Sequence, residues 1–196
     1  MLSSNIRFLL KIESRAKTNA VLAFLSSFLL ALSFSSFHLG FLAWIGFVPL
    51  FFALKEKGPK PAFLLSYVCG VVFFAGSMYW IVYVTPLGWG LLSLYLGLHF
   101  GVFGLFFSHH TKTTRYPLNT MRYIILPSAW TLLEYIRSIL GTGAPWNLLA
   151  YSQYKNISII QIAEVTGAFG ISFLIILVNL CLHSLIEAVK QKSIIK

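Results

Sequence analysis

Apolar residues occur in six runs along this chain, separated by short polar segments. The runs cover residues 20–37, 39–54, 62–84, 87–108, 122–140 and 165–188. A helix needs about 20 apolar residues to cross the hydrocarbon core of a bilayer, and the third, fourth and sixth runs meet that length. The first two runs are short and adjoin at His38, so they form either a tight helical hairpin or one full and one partial crossing. The pattern predicts an all-α polytopic membrane bundle with about six transmembrane helices.

Several glycine, proline and polar residues within the runs predict local details of this bundle. Gly40 is expected to take a positive φ in the hairpin turn, and Pro49 should kink or end the second helix. Gly97, Gly101 and Gly104 lie along one side of the fourth run, with a spacing that lets helix backbones approach closely.

The last run adds further predictions. Ser158 and Gln161 have the spacing of a capping box, Gly167 and Gly170 should make close helix contacts, and Asn179 should hydrogen-bond to another helix.

Composition supports a membrane protein and excludes a water-soluble globule. Hydrophobic residues make up 58% of the chain and charged residues 10%, whereas a soluble domain carries about 25% charged residues. The 196 residues suit one compact bundle. A net charge of +10 could indicate a nucleic-acid partner, but the basic residues lie in short loops beside apolar runs. That placement indicates membrane orientation, so we expect no nucleic acid to bind.

Lysine and arginine residues concentrate on one side of the predicted membrane, and only Arg137 and Lys155 fall on the other. The concentrated set comprises Arg7, Lys11, Arg15, Lys17, Lys55, Lys57, Lys60, Lys112, Arg115, Arg122, Lys190, Lys192 and Lys196. The positive-inside rule then places both termini in the cytoplasm.

These boundaries give a basic cytoplasmic N-terminus (1–19), a transmembrane domain (20–189) with a periplasmic loop (141–164), and a basic tail (190–196). A signal peptide over residues 1–36 is the alternative, but no clear cleavage site follows them.

The segment from Trp130 to Gln153 carries the densest polar chemistry. Glu134 and Arg137 are three residues apart, so they share one helix face and are close enough to pair. One interpretation is an ion pair satisfied within the helix, and the other is a polar wall that faces a cavity or a lipid headgroup. The loop that follows is unusually long for a compact protein, and such loops are often functional.

This loop and the remaining reactive side chains predict where ligands could bind. Glycines and Pro145 should define the loop backbone and hold Trp146 at the outer interface. Trp80, Tyr83 and Trp89 are read as interfacial anchors, with lipid-substrate contact as the alternative. No histidine has metal-ligand spacing with a carboxylate nearby, so we expect neither a metal nor a cofactor. Cys69 and Cys181 are interpreted as small buried hydrophobic residues.

In order and spacing, these motifs resemble the membrane domain of bacterial apolipoprotein N-acyltransferase. The segment Gly76–Val84 is similar to the family's sequence at the outer end of the third span. The other matching residues are Trp130, Glu134, Arg137, Gly143, Pro145, Trp146, Tyr151, Ser152, Gln153, Gln161, Ala163, Gly167, Gly170, Ser172, Phe173 and Leu174.

The resemblance implies transfer of an acyl chain from a phospholipid to the N-terminal cysteine amine of a diacylglyceryl lipoprotein. This chemistry would occur at the outer face of the bacterial cytoplasmic (inner) membrane, in a multi-pass protein. In the family a nitrilase-like domain supplies a Glu-Lys-Cys triad. The resemblance assigns substrate binding to Glu134, Arg137, Pro145, Trp146, Tyr151 and Gln153.

The sequence departs from the family because the nitrilase-like domain lies outside these 196 residues. Neither Cys69 nor Cys181 matches a catalytic motif. We therefore expect a membrane platform, truncated or split from its catalytic domain and inactive alone, with a separate nitrilase-like chain as a candidate partner. The alternative is a small independent transporter or lipid-binding scaffold. The chain lacks the internal repeat that many transporters carry.

Overall fold

The computed structural model describes residues 2–113, 120–140 and 143–195, and side chains within 13–111, 120–140 and 143–193. All regular secondary structure in these residues is helical, which confirms the all-α prediction. The α-helices are α1 (Leu2–Ser33), α2 (Ala43–Gly46), α3 (Val48–Leu54), α4 (Pro59–Ser77), α5 (Pro86–Thr113), α6 (Arg122–Ile139), α7 (Ile157–Ile160) and α8 (Ala163–Ile195). Short 3₁₀ helices cover Gly40–Leu42, Tyr79–Tyr83 and Leu149–Gln153.

Among the described residues, four helical stretches are long and apolar enough to cross a membrane. They are Glu13–Ser33, Pro59–Ser77, Pro86–Thr111 and Ala163–Ser193, in α1, α4, α5 and α8. The second predicted span is instead a shorter, broken apolar segment over Gly40–Leu54. The fifth corresponds to α6, which has 18 residues and carries Glu134 and Arg137. The fold is a helical membrane bundle, and the second and fifth of the six predicted segments are not among these four stretches.

Helices α4 and α5 pack closely along the predicted glycine stripe. A methyl group on Gly97 would lie 2.5 Å from Cγ2 of Val71, and one on Gly101 would lie 2.7 Å from Cε2 of Phe63. On Gly104 it would lie 2.7 Å from the backbone oxygen of Ala62. Real Cβ atoms do not approach other atoms this closely, so the stripe is needed for the helix contact. The prediction of close packing is confirmed.

The hairpin after α1 differs from the prediction at one of its two special residues. His38, and not Gly40, takes the positive φ, at 60°. Gly40 is required for space, because a Cβ there would collide with the backbone oxygen of Ser152. The second run is interrupted beside Pro49, as predicted: α2 ends at Gly46, and Pro49 lies in the first turn of α3. Proline is accepted there because the first backbone N–H groups of a helix have no partner within it.

Side chains from distant helices satisfy the backbone at the break between α2 and α3. The N–H of Phe47 donates to Oδ1 of Asn179 at 2.9 Å, and Nδ2 of Asn179 donates to the oxygen of Ala43 at 2.9 Å. Ser26 accepts from the N–H of Leu50 at 3.2 Å. Irregular backbone at membrane depth is tolerated only when such partners are present. The predicted interhelical role of Asn179 is confirmed.

The last part of the chain contains two further corrections. Gly167 has φ 66° and ψ −177° and kinks α8, while a Cβ on it would meet nothing within 4 Å. The three atoms nearest to a Cβ on Gly170 all belong to the side chain of Thr166, in the same helix. The close helix contact predicted for Gly167 is therefore absent from the described residues. The cap of α7 is Asn156, whose side chain accepts from the N–H of Ile159, so Ser158 is not the capping residue.

An aromatic cluster fills the centre of the bundle beneath the outer loop. The rings of Phe47 and Phe100 stack with centroids 5.7 Å apart, and Trp130 meets both edge-on at 4.8 and 4.9 Å. Cys69 is buried as predicted, whereas Cys181 is exposed on the surface of α8. Arg115, Lys196 and the first two residues of the predicted loop 141–164 lie outside the described part of the chain.

Candidate functional site

Two oppositely charged side chains are buried near the C-terminal end of α6. Glu134 is 0% exposed and Arg137 is 5% exposed. The salt bridges found among the described residues join other side chains, so these two are not within salt-bridge distance, which counts against the ion-pair interpretation. Each hydrogen-bonds instead to the backbone of the loop that follows the helix. The i, i+3 spacing placed them on one face, but their strongest contacts are to Ala144–Leu149.

Glu134 fixes the start of the 3₁₀ helix Leu149–Gln153. Its Oε1 accepts from the N–H of Leu149 at 2.7 Å. The next N–H, of Ala150, donates to Oγ of Ser172 in α8 at 3.1 Å. The first N–H groups of a helix have no acceptor within the helix, and a buried one without a partner costs free energy. Glu134 and Ser172 supply those acceptors from two different helices.

Arg137 fixes the preceding part of the same loop. Its Nη1 donates to the backbone oxygens of Ala144 at 3.1 Å and Trp146 at 2.7 Å. The backbone N–H of Ala144 in turn donates to the oxygen of Arg137 at 3.0 Å. The guanidinium carbon lies 5.4 Å from the ring centroid of Phe74 in α4, a cation–π distance. The loop is thus wrapped against the end of α6.

Two residues with positive φ define how the loop presents its aromatic tip. Gly143 has φ 71° and Asn147 has φ 52°, on either side of Pro145 and Trp146. Pro145 is exposed and Trp146 is 50% exposed. Because the backbone oxygen of Trp146 is held by Arg137, the indole projects outward from a fixed position. Trp146 is therefore exposed on a held backbone, and its position at the outer membrane interface stays a prediction.

The end of the loop is joined to the hairpin between α1 and α2. Gln153 is buried, with its Oε1 accepting from Nε1 of Trp44 at 3.0 Å and its Nε2 donating to the oxygen of Gly40 at 2.7 Å. Tyr151, two residues earlier, is exposed. The six residues predicted as a site therefore divide into buried anchors (Glu134, Arg137, Gln153) and an exposed rim (Pro145, Trp146, Tyr151).

Known proteins are similar in sequence to this chain over most of its length. The family described as apolipoprotein N-acyltransferase N-terminal domain matches residues 26–181. The chain belongs to the apolipoprotein N-acyltransferase family.

Individual relatives carry the same description. The apolipoprotein N-acyltransferase of Geobacter metallireducens is 41% identical over 178 residues, covering 85% of this chain and 33% of the relative. The Rickettsia typhi protein is 30% identical over 159 residues, covering 71% and 32%. The Thermotoga maritima protein is 27% identical over 188 residues, covering 88% and 37%. The chain thus spans about a third of the length of these N-acyltransferases.

Some residues of this N-acyltransferase domain acquire a role only through the structure. Ser172 enters the sequence analysis only as a residue that matches the family motif, whereas in the structure its Oγ accepts a hydrogen bond from the N–H of Ala150. Trp44 binds Gln153 across 109 positions of sequence. His99 is buried with its ring centroid 4.3 Å from that of Trp130. Nothing in the local pattern marks these contacts, although an isolated histidine in an apolar run was a visible signal. The described residues contain no group of three or more His, Cys, Asp or Glu side chains placed to hold a metal.

Proposed function

We propose that this chain is the membrane domain of an N-acyltransferase that acts in lipoprotein maturation. It crosses the bacterial cytoplasmic (inner) membrane several times, with both termini in the cytoplasm and the loop 143–153 on the periplasmic side. The family match over residues 26–181 is the observation that carries the proposal.

Charges at the opposite end of the bundle from this loop support the orientation. Lys55 pairs with Glu187 at 2.6 Å, and Lys190 lies over the ring of Phe52 at 4.7 Å. These contacts gather basic residues at the end opposite Trp146, as the positive-inside rule requires of a cytoplasmic face.

In this proposal the outer loop guides two lipid-bearing substrates, a phospholipid and a diacylglyceryl lipoprotein. The exposed rim of Pro145, Trp146 and Tyr151 offers apolar surface to acyl chains, with a polar backbone beside it. Glu134 and Arg137 position this rim through the loop backbone. A surface already held in shape loses little entropy when a ligand binds, which favours affinity.

The acyl-transfer chemistry itself is assigned to a nitrilase-like domain, either in a longer form of this polypeptide or in a separate chain. Cys69 is buried, and Cys181 lies on the surface of the apolar helix α8. Neither cysteine lies in a catalytic motif of the family, so neither sulfur is assigned the role of acyl acceptor. We propose that these 196 residues alone, whether truncated or split from that domain, transfer no acyl chain.

Reconstitution tests this division of labour. The chain is placed in nanodiscs with a phospholipid that carries a labelled acyl chain and with a diacylglyceryl-cysteine peptide, and N-acylated peptide is measured by mass spectrometry. We expect no product from the chain alone and product when the nitrilase-like domain of the Geobacter metallireducens relative is added. Turnover by the chain alone would refute the assignment of chemistry, and no product in either case would refute the proposed function.

A matched pair of tryptophan variants then tests the role of the rim. Trp146 and Trp80 are exposed to a similar extent, 50% and 52%, and both lie at the outer end of the bundle. Trp146→Ala should lower the rate of the reconstituted reaction by about tenfold, the loss expected for removing a large aromatic contact. Trp80→Ala should leave the rate within about twofold of the parent. Equal effects of the two changes would show that the rim has no special role.

A further inference from the structure

A groove runs between α5 and α6, separate from the exposed rim. It has a volume of about 190 Å³, with apolar walls that include Leu98, Val102 and Leu133, and three polar side chains, Tyr95, His99 and Arg137. Tyr95 and Leu98 are exposed on the outside of the bundle, where α5 is an apolar spanning helix. The groove, hereafter the α5–α6 groove, therefore opens toward lipid.

Two of the polar side chains in this groove are buried with unused hydrogen-bonding atoms. Arg137 is 5% exposed and uses only Nη1 to hold the loop, while its Nε and Nη2 have no hydrogen-bond partner. His99 is 7% exposed, and neither of its ring nitrogens has a partner. Buried polar groups are nearly always satisfied, and at membrane depth each unsatisfied group costs free energy. These atoms therefore indicate a polar ligand in the groove.

The chemistry of the unused atoms restricts that ligand. A guanidinium has only hydrogen-bond donors, so its partner must supply acceptor oxygens. A negatively charged partner makes these hydrogen bonds stronger. The groove lining includes no carboxylate. Glu134 lies outside it: its Oε1 accepts from the N–H of Leu149, and its Oε2 has no hydrogen-bond partner, so it does not hydrogen-bond to the free guanidinium nitrogens. Next to these donors the walls are apolar. The volume also exceeds the 30 Å³ or so that one water molecule occupies in the liquid. An anionic group attached to an acyl chain matches both parts of the groove.

We propose that the α5–α6 groove binds one membrane phospholipid. Phosphodiester oxygens accept hydrogen bonds from Nε and Nη2 of Arg137 and from His99, and Tyr95 lies at the mouth. The first carbons of one acyl chain lie against Leu98, Val102 and Leu133. This inference rests on the proposed function, because it adds a defined lipid position beside the loop that Arg137 holds. It extends the lipid contact from the exposed rim to Tyr95 and His99, which were not assigned any ligand.

Direct measurement of retained lipid tests the groove without requiring catalysis. The delipidated 196-residue chain is titrated with phosphatidylglycerol or with a diacylglycerol of the same acyl chains, and bound lipid is counted by native mass spectrometry. Inorganic phosphate is titrated in a third arm. We expect phosphatidylglycerol to bind about tenfold more tightly than diacylglycerol, the difference given by one hydrogen bond to a charged group. Inorganic phosphate should compete only weakly.

Three variants separate the groove from the rest of the surface. His99→Phe removes the ring nitrogens and keeps the aromatic contact with Trp130. Leu98→Trp fills the groove from its exposed side, where the fold should tolerate it. Leu94→Trp is the control, because Leu94 lies on the same helix with similar exposure (46% against 44%) but does not line the groove. The first two variants should lose the preference for phosphatidylglycerol, and the control should keep it.

Each other outcome overturns the inference. Equal binding of phosphatidylglycerol and diacylglycerol would mean that the phosphate is not recognised, and loss of binding in Leu94→Trp as well would place the lipid elsewhere. Full competition by inorganic phosphate would identify a free anion as the ligand, and no retained lipid would leave water as the partner of these atoms. If lipid is not retained but the reconstituted enzyme is active, only this inference fails. If lipid is retained but no acyl transfer occurs, only the proposed function fails.

Discussion

Removing the Glu134 carboxylate should release the start of the Leu149–Gln153 helix and leave the rest of the bundle folded. The carboxylate accepts from the N–H of Leu149 at 2.7 Å in a fully buried position. A hydrogen bond to a charged group contributes about 1.5–3 kcal/mol. In Glu134→Ala we take about 2 kcal/mol as the reduction in the free energy of local opening. That reduction corresponds to about 30-fold faster amide exchange of Leu149 when exchange follows local opening.

Hydrogen exchange read out by mass spectrometry in detergent measures this change on peptides that cover residues 148–153. Asn179→Leu provides the matched control, because Asn179 holds the N–H of Phe47 in another part of the bundle. That variant should speed exchange around Phe47 and leave Leu149 unchanged, and Glu134→Ala should do the reverse. Glu134→Gln keeps an acceptor oxygen without the charge, so its effect at Leu149 should be smaller than that of alanine.

The ion-pair interpretation predicts a different pattern of amide exchange in Glu134→Ala, so the experiment distinguishes it from a role of Glu134 in holding the loop backbone. If Glu134 mainly neutralised Arg137, its removal would leave a buried unpaired charge and would lower the stability of the whole protein. Exchange would then increase across α6 and α4, and the amide of Leu149 would show no particular change. Observation of that uniform increase would refute the conclusion that Glu134 acts on the loop backbone.

Four substitutions test the packing and the backbone of the bundle by thermal unfolding in detergent. Gly104→Ala should destabilise the chain by about 1–3 kcal/mol because the new methyl group meets the backbone of Ala62. Gly90→Ala is the control: a Cβ there meets nothing within 4 Å, so the change should stabilise α5 by up to about 1 kcal/mol. Equal effects of the two changes would contradict the close contact at Gly104. Asn179→Leu should lower stability by about 2–4 kcal/mol because Phe47 and Ala43 each lose a buried partner, and an unchanged melting temperature would count against that. Gly167→Ala should cost about 1–3 kcal/mol through backbone strain alone, and no loss would mean that the kink relaxes freely.

Features that depend on one helix and its regular period were predictable from the sequence. The stripe of Gly97, Gly101 and Gly104 follows from helical spacing, and the close contact with α4 confirms it. Asn179 was identified because a polar amide deep in an apolar run needs a partner. The position of the interhelical contact along the chain was predictable, but the residue that Asn179 would contact was not. The partner, Phe47, lies 132 positions away in a helix break that the pattern of apolar residues does not reveal.

The candidate site shows why the remaining features could not be predicted. Spacing places Glu134 and Arg137 within reach of each other, and pairing was the simplest local solution. The chain returns, however, so that the N–H of Leu149 and the oxygens of Ala144 and Trp146 lie closer to the two side chains. Which contact forms depends on the path of the loop, and that path depends on α8 and the hairpin. Sequence spacing carries no information about it.

The outer loop is better described as a rigid platform than as a lid. Its backbone groups are held by α6 through Glu134 and Arg137, by α8 through Ser172, and at its end by the side chain of Gln153 on the hairpin. A lid that opens needs few buried contacts and backbone bonds that solvent can replace, and this loop has the opposite properties. If the loop stays fixed, lipid must approach along surfaces that are already open, and the exposed rim and the α5–α6 groove are two such surfaces. Arg137 links them, because its Nη1 holds the loop backbone while its Nε and Nη2 lack protein partners. A lipid that binds the free nitrogens of Arg137 would therefore stabilise the guanidinium that holds the loop backbone. Occupancy of the groove should slow amide exchange in the segment Ala144–Trp146.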